Sequence, residues 1–281
     1  MHVTNNHLKF FVIFSLLFVF NQIAFAAGPE TISLNSNDFP WPVKLITEGS
    51  RKNTSWAGWV VNPNTQNWSE IVGGFAQSWE LSNGLGMRVK YGQFSDTSVA
   101  IYAAEQAITH MYDFPIRHWE AGTFSNTQLG DFAYKWDLSM EKDAGWANPA
   151  YPGDKAIISF CKGNYAASIT MGRKDALVNK SEMENIARKC ETKINVAISV
   201  DSSEDDILRL ITHKGILQSL QAKLASFTKH FRKSEYKTAM NAINAFINEL
   251  NAQRGKHVSE SAYQTLKGYA DTIIQSLNAL M

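Results

Sequence analysis

Three hydrophobic patterns follow one another along the chain. Residues 10–20 form a run that is apolar except for Ser15, residues 41–171 carry mostly short strand-like segments, and residues 179–281 place apolar side chains three and four apart. The strand-like segments of the middle region are 41–47, 55–61, 70–81, 86–91, 116–121, 131–138, 156–161 and 165–171. Asn62-Pro63-Asn64 and Ser82-Asn83-Gly84 supply turns between them, and Lys162-Gly163-Asn164 predicts a tight hairpin because Gly and Asn accept positive φ at little cost. One segment changes period: Ile101, Ala104, Ala107, Ile108 and Met111 define an apolar helix face within 98–112, which Pro115 stops. A second helix is predicted over 179–194, capped by Ser181, with Met183, Ile186, Ala187 and Cys190 on one face.

This order predicts an α+β fold, a mainly antiparallel sheet with two packed helices, followed by a small all-α helical bundle. A doubly wound parallel sheet would need regular alternation of strand and helix, which the pattern lacks. In the bundle, Ser203 and Asp206 make a variant capping box for a short helix carrying Ile207, Leu208, Leu210 and Ile211 before Gly215. The next helix, 216–232, presents Leu217, Leu220, Leu224, Phe227 and Phe231 as a stripe. Ser234 is the predicted cap of a third, with Ala239, Ile243, Phe246 and Leu250 inward, closed by Arg254-Gly255. Ser259 caps a fourth, with Ala262, Leu266, Ala270, Ile273 and Leu277 inward.

The first apolar run has a different meaning. Lys9 precedes it, Asn21 and Gln22 close it, and Ala24-Phe25-Ala26 stands ahead of Ala27, the three-part pattern of a secretory signal peptide cleaved after Ala26. The run is well short of the roughly 20 residues that span a bilayer. An uncleaved anchor is the alternative. The expected organisation is a signal peptide at 1–26, an α+β domain at 27–200 and a helical bundle at 201–281. All eight Trp lie at or before Trp146, so composition changes along with periodicity. A net charge of +1 with both signs interspersed recommends no nucleic-acid partner, and no later segment predicts a stable membrane span.

Two resemblances bear on this division. Leu129-Gly130-Asp131, Ile158-Ser159-Phe160 and Gly163-Asn164-Tyr165 resemble a pattern in uncharacterised exported bacterial α+β domains, from which no functional residue is carried over. The stretch Asn244-Ala245-Phe246-Ile247-Asn248-Glu249-Leu250-Asn251-Ala252-Gln253-Arg254-Gly255-Lys256, followed by a capped helix with Ala262 and Leu266, resembles the FIMAH domain. That resemblance covers roughly 203–277. It implies an accessory or attachment module of the kind joined to exported metallophosphoesterases, adhesins and hydrolases, and it implies no active site.

Candidate chemistry is sparse. Cys161 and Cys190 in an exported chain predict one disulfide, stapling the second helix to the sheet; two separate buried thiols are the alternative. No nucleophile elbow, zinc helix, phosphate loop or calcium loop occurs, and no cofactor is expected. His110, Asp113 and His118, near Glu105 and Glu120, could converge on a divalent metal, and a partly exposed helix end is the alternative. Asp131 could be a catalytic carboxylate or a turn residue bonded to nearby backbone. Trp68 and Trp146, in Asn- and Pro-containing loop contexts, are the candidates for exposed binding residues, because an indole can stack on a sugar ring or anchor a protein partner.

These observations predict an exported, non-catalytic binding or interaction protein of the cell exterior or periplasm, with a cell-envelope polysaccharide or protein as partner. The alternative is an extracellular hydrolase with a dispersed, metal-assisted site.

Overall fold

The computed structural model describes residues 28–39, 41–50, 72–81, 86–109, 128–137, 154–172 and 178–281. The strands are β1 (Val43–Ser50), β2 (Gly73–Leu81), β3 (Gly86–Gln93), β4 (Phe132–Asp137), β5 (Asp154–Lys162) and β6 (Tyr165–Gly172). They form one sheet in the order β1-β2-β3-β6-β5-β4, with every neighbouring pair antiparallel. Helix α1 (Thr97–Thr109) follows β3, and α2 (Lys180–Leu210), α3 (Lys214–Arg232), α4 (Tyr236–Gln253) and α5 (Glu260–Leu280) follow β6. The α+β architecture is therefore the one the hydrophobic pattern predicts. The strand expected at 55–61 and the one at 116–121 lie outside the described residues.

The pleat assigns the two faces of the sheet to different helices. Trp79, Val89, Tyr91, Ile158, Phe160 and Ile169 join Met183, Ile186, Ala187, Cys190 and Ile194 of α2 in the main core. On the other face Cys161 and Ala166 join Val99, Ala100, Ala103 and Ala104 of α1 in a smaller one. The β5–β6 turn closes as expected, with Gly163 at φ +55.

The predicted disulfide is absent: Cys161 and Cys190 are both buried free thiols. Successive strand residues point to opposite faces, so Phe160 facing α2 obliges Cys161 to face α1. The sheet itself separates the two sulfurs. Cys190 instead lies 3.6 Å from the Tyr91 hydroxyl, and burial pushes its thiol up to about 12.

A second difference concerns α2. It starts on Asn179, whose side chain accepts the Glu182 amide at 3.3 Å, rather than on Ser181. It then continues unbroken to Leu210, through the composition change at 200–203. Ile194, Ala197, Val200, Ser203 and Ile207 are all buried and keep helical spacing, so the apolar stripe outweighs the local capping preference of Ser203. The Ser203 hydroxyl donates back to the Ser199 carbonyl at 2.7 Å, which suits a residue inside a helix.

Helices α3, α4 and α5 complete a bundle with the end of α2. Their buried residues Leu220, Leu224, Phe227, Phe231, Ile243, Phe246, Leu266 and Ile273 belong to the same core as the sheet. Among the described residues no helix is long and apolar enough to cross a membrane.

Candidate functional site

Two polar sites follow from this architecture, one sealing the seam between sheet and bundle and one exposed at a bundle end. The seam is built on the strap formed by residues 28–39, which runs as two short 3-10 turns, Pro29–Ile32 and Ser36–Asp38. Buried Gln77 holds the strap to the sheet: its side-chain oxygen accepts the Leu34 amide at 2.9 Å and its nitrogen donates to the Leu34 carbonyl at 2.8 Å. Four residues on, Asp38 meets the bundle. Its carboxylate accepts from Lys193 Nζ at 2.7 Å, the Tyr236 hydroxyl at 2.5 Å and the Asn35 amide at 2.8 Å.

The ammonium of Lys193 also donates to the Ser33 carbonyl at 2.7 Å and to Ser234 Oγ at 3.4 Å. Lys193 is 1% exposed and Asp38 2%, so both charges have left water and each survives only because the other groups satisfy it. Desolvation lowers the Lys193 pKa against the opposing pull of Asp38. Lys189 adds a hydrogen bond to the Asp38 carbonyl. Ser234, expected to cap α4, sits instead at φ +50 with its side chain in this cluster. Sequence reasoning missed the site. Its available signal was Lys193 standing on the apolar face of α2 between Cys190 and Ala197, since a charge on a core face requires a buried partner.

The exposed site is the loop joining α4 to α5. Gly255 takes φ +73, and the amides of Lys256, His257 and Val258 all donate to the Gln253 carbonyl at 3.0, 3.1 and 3.1 Å. Val258 is buried and anchors the loop from below. Arg254 makes a bidentate pair with Glu260, at 2.7 and 2.6 Å, while its guanidinium lies 4.3 Å above the Tyr263 ring. Tyr263 in turn donates to Asn251 at 2.7 Å. Ser259 caps α5 as expected, accepting the Ala262 amide at 3.2 Å. The Asn-Ala-Gln-Arg-Gly-Lys stretch thus encodes a preformed turn with its polar groups already oriented.

Residues 209–275 match the FIMAH domain family. The matched residues take in the last two residues of α2, all of α3 and α4, and most of α5. The match suggests a surface or adhesion-related module. No curated protein and no solved structure matches the chain significantly. The FIMAH domain is joined to the rest of the chain through a shared helix as well as the buried seam: Asp206 of α2 accepts from Arg209 at 2.6 Å and from Tyr269 of α5 at 3.0 Å.

The other expected site residues have separate fates. Trp68, Trp146, His110, Asp113 and His118 lie outside the described residues. Trp79 is buried against Phe39, with ring centroids 5.1 Å apart, and Trp41 is half-buried. Asp131 is a structural residue. It accepts from Lys162 Nζ at 2.6 Å and from the Gly163 amide at 2.8 Å, tying the start of β4 to the β5–β6 turn. Burial opposes its charge, but these bonds prevail and hold its carboxyl below the usual range. Among the described residues no group of three His, Cys, Asp or Glu could hold a metal ion.

Proposed function

We propose that the chain is an exported, non-catalytic binding protein of the cell exterior or periplasm, in which the α+β domain recognises a cell-envelope polysaccharide or protein and the FIMAH domain serves as its attachment module. The observation that carries the proposal is the FIMAH match at 209–275. The signal-peptide pattern at 1–26 and the concentration of Trp before residue 147 support it. The seam adds a physical reason: a module fixed by a continuous core orients what it carries.

The test is a titration of the mature protein with polysaccharides and cell-wall fragments, followed by Trp fluorescence and thermal unfolding. A ligand that binds the native state raises its apparent stability by mass action. The expected result is a saturable response weakened by Trp68→Ala or Trp146→Ala. Hydrolytic turnover of any of these polymers, lost on replacing His110, Asp113 and His118, would overturn the non-catalytic reading.

A further inference from the structure

Two of the chain's seven histidines meet at the end of the bundle. His213 closes the link between α2 and α3, and His257 belongs to the α4–α5 loop. Their ring centroids are 4.3 Å apart and their planes are tilted by 40°. Both residues are exposed. Neither backbone is free to drift, because the His213 carbonyl accepts the Leu217 amide at 2.9 Å and the His257 amide is held by Gln253. His230, by contrast, is paired with Glu235 at 2.5 Å.

Imidazole is a preferred ligand of divalent Zn, Cu and Ni. With metal–nitrogen bonds of about 2.0–2.1 Å, two imidazoles on one cation at octahedral to tetrahedral angles place their ring centres roughly 4.5–5.2 Å apart. The observed spacing lies within a small side-chain rotation of that range. We propose that His213 and His257 form a two-imidazole site for a divalent transition-metal cation, with water completing its coordination.

A competing bond makes the assignment testable. His213 Nδ1 accepts the Ile216 amide at 3.4 Å, capping α3. A neutral imidazole offers one lone pair. If Nδ1 binds the metal, that pair is taken. If Nε2 binds it, the ring proton moves to Nδ1, which can no longer accept. Either way Ile216 loses its cap. The bond is long, so its loss costs little. Lys214 and Lys256, the sequence neighbours of the two rings, work against a cation and keep affinity moderate.

The experiment is isothermal titration of the mature chain with zinc chloride and nickel chloride alone, with amide NMR of the same samples. One saturable site is expected. His257→Gln and His213→Asn should each weaken it by at least about tenfold; Asn retains capping ability, so loss of affinity in that variant is not loss of the helix start. His230→Ala should leave it unchanged, and the Ile216 resonance should move on saturation. Absence of saturable binding, affinity unaffected in both variants, an unmoved Ile216 amide, or binding lost only on replacing His110 and His118 would each overturn the assignment.

Discussion

Replacing Lys193 by Met removes the cation of the seam while keeping most of the side chain's volume. The Asp38 carboxylate would then retain only the Tyr236 hydroxyl and the Asn35 amide, neither of them charged, in a site closed to water. Breaking one side of a buried, hydrogen-bonded ion pair costs about 3–5 kcal/mol, because the surviving charge has no compensation. For a chain of this size each kcal/mol lowers the melting temperature by about 2–4 °C, so a fall of roughly 6–20 °C is expected by circular dichroism. Combining Lys193→Met with Asp38→Asn should recover much of the loss, because the orphaned charge is then gone. A loss below about 1 kcal/mol for the single variant, or additive losses in the pair, would refute the view that the two groups survive burial only through each other.

Three further outcomes are expected. Gly130→Ala should destabilise by at least about 2 kcal/mol in urea unfolding, since the residue has φ +64 and an added Cβ would stand 2.1 Å from the Cys161 carbonyl oxygen; Gly255→Ala, at φ +73 with nothing within 4 Å, should cost only about 1 kcal/mol. Burial and then the neighbouring Asp201 and Asp205 raise the Glu204 carboxyl to about 7. The folded state therefore binds the extra proton between the ordinary value and about 7, and stability falls as pH rises through that window. Discounted for partial exposure, Glu204→Gln should gain about 1–2 kcal/mol at pH 8 and nothing near pH 4, and an equal gain in melting temperature at both pH values would contradict this assignment. Finally, intact mass should not change on reduction, and native protein should resist alkylation at Cys161 and Cys190 until denaturant is added; a mass gain on reduction would show a bridge.

Periodicity made the strands, the Gly163 turn and the three carboxyl-terminal helices legible, because each depends on local spacing and turn chemistry. What depends on which face meets which partner was not. Cys161 and Cys190 read as a pair because they are the two cysteines of a chain read as exported, yet one residue of register sends Cys161 to α1. Ser203 and Ser234 read as caps from their immediate neighbours, whereas the long apolar stripe of α2 and the buried Lys193 decided their roles. The strap had no period to read. Its hydrogen bonds go to Gln77 and Lys193, which lie 43 and 155 residues away from their partners Leu34 and Asp38. Arg254 and Tyr263 fell within the recognised motif, but their stacking is set by the fold of the Gly255 turn.

The uninterrupted α2 has a mechanical consequence. At about 1.5 Å per residue, its 31 residues make a rod roughly 46 Å long, clamped on the sheet over its first part and on α5 over its last. A pull on the carboxyl-terminal module is thus delivered as shear along a side-chain interface, with no slack tether to absorb it, so the two halves should resist and yield as one body.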